Sequence, residues 1–550
     1  MAAPRFSILT PVFDTPADVL EAMLKSVRGQ RLGDWELCLV DDCSPEPHVR
    51  ERLQRAEAED PRVRVGFREA NGGIVAASND ALAMATGEFV VLLDHDDALH
   101  PDALAQVAAA LDANPEADYV YTDEDKIDRA GHHEAPFFKP DWSPERMRTQ
   151  MYTCHLSVMR RELVEAVGGF DAEFEGSQDW DLVLKVTERA RQVVHVPRVL
   201  YHWRTLETSA AGGGEEAKPW AFEAGTRAVQ AHCERIGLEA EVERDEQWPG
   251  VYHLQPRLRR QPSVSIVIPT AGQSREVRYE QVVLVSHCVR SIVETSTYEN
   301  YEIVVVADTS MDPAVAAELR ELAGERLRLV DYDEPFNFST KINRGAVRSE
   351  GEHLLLLNDD MEVVTPDWIE RMTMYSQMPE IGAVGGRLLL EDGRIQHAGI
   401  LFENGGYAGH IYHGFAGDFN GYSNNVLVAQ NYLAVTGACL MTPRDAFEEV
   451  GGFSQVFPLN YNDMDYCLKL RTTGLRTVYD PDTVLHHFES SSRSTEVDDW
   501  EKEELIARWL PVTIFDPATN PQLRHGMPRL SSPFAWMKRS LPPLRRQPVR

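Results

Sequence analysis

Cysteine is scarce in this sequence and is never arranged for use. The seven cysteines in 550 residues are Cys38, Cys43, Cys154, Cys233, Cys288, Cys439 and Cys467. They are odd in number, scattered and never spaced C-x-x-C, which argues against a disulfide framework or a zinc ribbon and fits a reducing compartment. Long apolar runs are missing too. None approaches the ~20 residues that span a bilayer, and Met1 to Phe13 lacks the apolar core of an export signal, so a cytoplasmic protein is expected. Positive charge is the third shortage: 55 Lys and Arg against 87 Asp and Glu leave a net charge of -32. Such a surface repels a nucleic-acid backbone, so no nucleic-acid partner is expected, although a nucleotide held through a metal is compatible with it. Neither first strand is followed by a Gly-x-Gly-x-x-Gly turn or by a glycine-rich phosphate loop with its lysine, which disfavours a dehydrogenase and weakens a sugar nucleotidyltransferase.

What is present is a repeat. The segment Gly87 to Asp97 is a short apolar, β-branched run that ends abruptly in Asp94, Asp96 and Asp97, and Gly351 to Asp360 has the same layout. Each reads as a buried strand delivering carboxylates to the carboxyl edge of a sheet, where open α/β sheets bind ligands. Closely spaced acids there suit a hard divalent cation that also holds phosphates. Asp94 maps to Asn358 and Asp96 to Asp360, both 264 positions on. Other pairs follow. Ser7 to Pro11 answers to Ser265 to Pro269, Glu36 to Ser44 to Glu302 to Ser310, and Asn79 to Asn343. Further on, Val167 to Phe170 matches Val450 to Phe453, Gln178 to Leu182 matches Asn462 to Tyr466, and Val199 to His202 matches Val484 to His487.

Amphipathic segments such as Asp18 to Arg28 and His287 to Glu294 separate the strands, so each unit reads as alternating strand and helix. That predicts an α/β fold of two tandem, Rossmann-like domains, each a mostly parallel sheet flanked by helices. The expected boundaries are a first domain at 1–225, a linker helix and hinge at 226–261, a second domain at 262–495 and a C-terminal helix with a basic, proline-rich tail at 496–550. Within that tail Phe534, Trp536, Lys538, Arg539, Arg545, Arg546 and Arg550 are interleaved. It reads either as a disordered tail or as a weak peripheral anchor on anionic lipid at the inner membrane face. No oligomeric state is implied.

Taken together, the strand-proline starts, Val40 to Ser44, Leu93 to Asp97, Gly168 to Phe170, Gln178 to Leu182 and Tyr201 to Arg204 resemble the inverting GT-A glycosyltransferases of family 2. The second half resembles them through Asn337 to Ser339, Leu357 to Asp360, Gln396 to Gly399, Val435 to Ala438 and Tyr461 to Asp465. In particular, it resembles the rhamnosyltransferase-like branch that builds bacterial surface polysaccharides. The resemblance implies a nucleotide-diphosphate sugar donor, one Mg²⁺ or Mn²⁺ per domain, and single displacement onto a glycan or lipid-linked oligosaccharide acceptor. Asp96 and Asp360 would ligate the metal, with Asp94 and Asn358 assisting. Asp42 and Asp308, at the ends of second strands, would accept hydrogen bonds from base or ribose, and Asp14, Asn79 and Asn343 join them on the donor side. Asp179 and Asp463 would be the general bases that take the proton of the acceptor hydroxyl. His202 and its twin His487 would be further metal ligands, and Arg204 a clamp on the diphosphate. At the place aligned with Arg204 the second half holds Glu489, which makes Arg493 its nearest alternative cation.

The halves differ. The second has Asn358 for Asp94 and Ala307 for Asp41, and Thr270 to Gly272 stand where Asp14 lies. It is therefore expected to bind metal more weakly, yet it keeps Asp463. Two readings stay open: a bifunctional enzyme, or one catalytic domain beside a glycan-positioning domain. Acceptor contacts are expected from Tyr121 to Asp125 and Phe137 to Trp142 in the first half. Their counterpart is an insertion carrying His397, His410, Tyr412 and His413, whose histidines lack zinc-like spacing.

Overall fold

The computed structural model describes residues 3–205, 219–403, 407–489, 499–524 and 526–528. The loop around Ala210 to Gly214, Arg493 and the aromatic-basic tail lie outside the described residues.

In the first half β1 (Phe6–Val12), β2 (Trp35–Asp41), β3 (Val63–Phe67) and β4 (Phe89–Leu92) form a parallel group. It continues through β5 (Ala98–Leu99), β6 (Ala117–Ile127), β7 (His133–Phe137), β8 (Ser157–Arg160) and β9 (Gln192–Arg204). The order is β3-β2-β1-β4-β8-β6-β9-β5, with β7 pairing off β6. β8 is inserted antiparallel between β4 and β6, while β6 and β9 run parallel. A hairpin, β10 (Ala240–Arg244) and β11 (Tyr252–Pro256), follows the linker helix Pro219–Ile236.

The second half repeats the plan. Its strands are β12 (Val264–Thr270), the hairpin β13 (Ser274–Val277) and β14 (Glu280–Val283), β15 (Tyr301–Asp308), β16 (Leu327–Tyr332), β17 (His353–Leu357) and β18 (Met361–Val363). After them come β19 (Ile381–Leu389), β20 (Ile395–His397), the hairpin β21 (Ile400–Glu403) and β22 (Tyr407–His410), β23 (Gln430–Tyr432), β24 (Cys439–Pro443) and β25 (Arg476–His487). The order β16-β15-β12-β17-β24-β19-β25-β18 is that of the first half, element for element. The expected pair of helix-flanked α/β domains is what the chain forms.

The repeat is physical as well as sequential. Gly87 lies so close to β1 that a Cβ would sit 2.8 Å from the backbone nitrogen of Ser7, and Gly351 would meet Ser265 at 2.5 Å. In both halves the serine hydroxyl accepts from that glycine N–H and donates to a strand glutamate, Glu36 or Glu302. This is why a Gly-Glu pair precedes each acidic strand: only glycine allows the close approach that seats it.

One apolar cluster draws residues from both halves, Tyr121 and Tyr152 as well as Met372 and Tyr375. Polar contacts, several of them buried, also join the halves. Arg146, on the helix Pro144–Thr149, donates to Asn425, Gln430 and the Ser423 carbonyl, and Glu145 pairs with Arg476 at 2.9 Å. After the helix Asp499–Thr513 the chain passes between the halves. There Asn520 donates to Asp123 and to the Lys139 carbonyl, and Asp141 N–H donates to the Pro517 carbonyl. No helix among the described residues is long and apolar enough to cross a membrane.

Candidate active sites

The first acidic strand, β4, ends at the carboxyl edge and turns at once. Asp97, fully buried, accepts from the Tyr201 hydroxyl at 2.5 Å and from the Arg204 N–H at 2.6 Å. Burial pushes its carboxyl well above the ordinary range, and the charges of Asp96 and Asp94 push it further. Asp94, Asp97 and His155 each offer a ligand atom, all within 4.8 Å of one another. The His155 ring stacks on Tyr201 with centroids 4.6 Å apart. Burial, helped by the charge of Lys139, lowers its pKa to about 3, so the imidazole is neutral at physiological pH, the form a metal requires. Two carboxylates and a neutral imidazole fit a divalent cation. This set differs from the expected one: Asp97 and His155 stand beside Asp94, while the Asp96 backbone carbonyl accepts from Arg204 Nε at 2.8 Å.

His202 lies elsewhere. Adjacent strand residues point to opposite faces, and Tyr201 faces Asp97 and His155, so His202 faces away from them. Its Nδ1 is 2.6 Å from Asp125, whose other oxygen is 2.8 Å from His133 Nδ1. The expected twin is also corrected. His202 pairs with Ala98, and His486 pairs with Glu362, 264 positions on from Ala98. The structural counterpart of His202 is therefore His486; His487 answers to Trp203, and Arg204 to Phe488 rather than Glu489. A one-residue slip in a strand reverses every side chain, which is why the motif match misled.

Asp179 stands in the first turn of the helix Gln178–Thr187. Burial raises its pKa, opposed by backbone N–H groups of the turn. The motif's second acid, Asp181, is committed to Lys185 at 2.7 Å. In the second half Asp463 begins the matching helix Asn462–Thr472 and accepts from Gly437 N–H at 2.8 Å, while Asp465 accepts from Trp509 Nε1 at 2.9 Å. Each half thus frames one acid, Asp179 or Asp463, and ties the other into the fold.

The donor-side candidates divide. Both oxygens of Asp42 cap the helix Gly73–Met84, accepting from Gly72 and Gly73 N–H at 2.9 and 2.8 Å, with Arg68 Nε 3.0 Å away. Asp308 instead pairs with buried Lys341 at 2.6 Å. Asp14 is exposed at φ +47°, and its counterpart Gly272 has φ +69°; Asp and Gly both tolerate that left-handed turn. The Asn79 carboxamide clamps Phe170 from both sides, donating to its carbonyl and accepting from its N–H, and Asn343 does the same with Phe453. These two amides position the Gly-Gly-Phe loop.

In the second half Asn358 and Asp360 meet His487: Nε2 is 3.3 Å from Asp360 Oδ1 and 3.5 Å from Asn358 Nδ2. Burial opposes a charged His487 ring, but Asp360 outweighs it and the pKa is raised. Through the strand registers Met361 stands at the place of Asp97, and Ala438 at that of His155. Among the described residues no metal-type group of three forms there. His410 lies 3.3 Å from His397 and, with Tyr412, His413, Phe415, Glu489 and Arg524, lines a cavity. His155 and Lys341 were not singled out from the sequence, and Asp97 was passed over for Asp96 as the metal acid, because repeat matching selects only positions that recur.

Residues 7–168 match the model of glycosyl transferase family 2, and residues 262–510 that of a glycosyltransferase-like family 2. The chain is 40% identical over 533 residues to the uncharacterized protein y4gI of Sinorhizobium fredii, covering 94% of this chain and 58% of that one. It is 37% identical over 525 residues to the O-antigen biosynthesis protein RfbC of Myxococcus xanthus, covering 94% and 40%. It thus spans about half the length of these two relatives. Over 197 residues it is 32% identical to a PGL/p-HBAD biosynthesis glycosyltransferase of Mycobacterium bovis, covering 34% of this chain and 70% of that one. With one family match in each half and the same strand order in both, the chain belongs to glycosyltransferase family 2, in two tandem domains.

Proposed function

We propose that the chain is a bifunctional glycosyltransferase that moves sugars from nucleotide-diphosphate donors onto a growing bacterial surface glycan. The observation that supports this reading is the recurrence of Asp179 and Asp463 in the first turns of matching helices, Gln178–Thr187 and Asn462–Thr472. In each site the aspartate accepts the proton of the acceptor hydroxyl as that oxygen attacks the anomeric carbon and the nucleoside diphosphate leaves. A bound Mg²⁺ or Mn²⁺ supplies charge neutralisation for the leaving diphosphate. Asp94, Asp97 and His155 would hold it in the first half, with Asp96 adjacent, and Asp360, His487 and Asn358 in the second. The likeness to an O-antigen biosynthesis protein supports a surface glycan as the product; a lipid-linked acceptor at the inner membrane face and rhamnose as the sugar rest on the family resemblance of the sequence motifs alone. Two sites in one chain raise the local concentration of the first product at the second.

The test is Asp179→Asn and Asp463→Asn in the full chain, with products resolved by linkage. Each substitution is expected to remove a different linkage, by roughly 10²–10⁴-fold. Loss of the same single linkage in both would sink the bifunctional reading. It would favour the second one, in which the second half positions glycan, a reading that Met361 and Ala438 support.

A further inference from the structure

We propose that Asp125, His133 and His202 form a second cation site in the first half, built for a dication of the Zn²⁺ type and separate from the Asp94, Asp97 and His155 group. The Asp125 side chain is fully buried and spreads its two oxygens between two imidazoles, at 2.6 Å to His202 and 2.8 Å to His133. The two rings stand edge to face with centroids 4.6 Å apart, and the three ligand atoms lie within 4.8 Å of one another. Two imidazoles and one carboxylate are the ligand types of a tetrahedral zinc site with an open fourth position. They also discriminate against Mg²⁺, which prefers oxygen. Binding asks the present hydrogen-bonded spacing to widen by about 0.5 Å, to the ligand-to-ligand edge of such a site. His133, a quarter exposed, gives the ion a way in.

The site is not a by-product of the repeat. At the places of Asp125 and His202 the second half has Leu389 and His486, and His486 faces the Leu390 carbonyl at 3.1 Å. Nor does it fall at random in the fold. His133 begins β7, which among the described residues pairs with β6, and the chain around and after β7 carries several contacts to the second half. The Tyr422 hydroxyl bonds Pro136 and Phe138, Asn520 bonds the Lys139 carbonyl, and Asp141 bonds Pro517. A cation there pins the hairpin that joins the two halves.

The full chain, stripped with chelator, is titrated with Co²⁺ and followed by visible ligand-field absorption. The expected result is one equivalent with an intense four-coordinate band, displaced by Zn²⁺, kept in Asp94→Asn and lost in His133→Ala. Absence of the band in the wild type, or its survival in His133→Ala, overturns the proposal. Should His133→Ala fold poorly, His133→Gln at this edge position replaces it. Hydrogen exchange across 128–137 is the second readout: Zn²⁺ is expected to slow it in the wild type and leave it unchanged in the variant.

Discussion

The two halves share a scaffold and differ in charge at the same edge. Around the acidic strand the first half gathers Asp94, Asp97 and His155, and the second has Asn358, Met361 and Ala438 at the corresponding places. The seating of that strand is nevertheless duplicated, from the Ser-Glu-Gly network to the asparagine clamp on Gly-Gly-Phe. Duplication has preserved what positions the strand and released what the strand presents. The second half recovers an imidazole from another direction, His487 on β25, whose counterpart in the first half is Trp203. A hard cation is therefore expected to be held in both halves, with different partners and unequal strength.

The largest expected effect breaks that symmetry directly. His155→Ala removes a ligand from the first half alone and His487→Ala one from the second. Each is expected to weaken Mn²⁺ in its own half by at least the roughly 10–100-fold that even outer-shell losses cost. Mn²⁺ titration of the two linkages in the full chain checks this, and a His155→Ala variant that altered the second linkage instead would reverse the assignment. Asn358→Asp sharpens the same comparison: the second half then carries the acid of Asp94, and its Mn²⁺ requirement is expected to fall toward that of the first.

A smaller effect concerns the strand before it. Asp42 is satisfied by the amides of a helix start, whereas Asp308 relies on Lys341, which is 1% exposed and also donates to the Thr270 carbonyl. Lys341→Ala gives the second half the residue type of Ala77 and leaves Asp308 without its cation. Breaking a buried pair costs 3–5 kcal/mol, but the Asp308 side chain is 28% exposed, so water recovers part and about 2 kcal/mol is expected. Urea unfolding of the full chain measures it, and a loss no larger than that of an ordinary surface substitution would show the pair to be incidental.

These contrasts also mark what could be read from the sequence. The fold was legible because its signals are local and occur twice: apolar runs ending in acid, glycine before glutamate, and helical periodicity between strands. Asp179 and Asp463 stood out as candidates for the same reason, each at the head of a recurring motif. Asp97 and His155 did not, since their value lies in meeting across β4 and the approach to β8, and neither recurs. The pairing of His202 with His487 failed for a subtler cause. The Val-Leu pair aligns Val199 with Val484, but β9 bulges at Leu200, between the partners of Asp123 and Glu124, and past that bulge the register is one position off, so His202 falls on His486.

The smallest expected effect lies in pH, and it ties the base to the fold. Burial raises the Asp179 pKa above the ordinary aspartate value of 3.8, so the protonated form is the one the folded site favours. A base must be deprotonated to act, so the first linkage is expected to lose kcat/KM as pH falls through this raised value, before an ordinary carboxylate would titrate. Linkage gives stability the opposite sign: a raised pKa stabilises the fold at pH below the unfolded value and loses that contribution as pH rises through the folded one. At neutral pH the charged Asp179 therefore costs stability. Asp179→Asn is expected to raise Tm there by a few degrees at most and to leave it unchanged near pH 3, while abolishing the first linkage. A variant that lost activity and stability together at neutral pH would instead make Asp179 a structural acid, like Asp181 beside it.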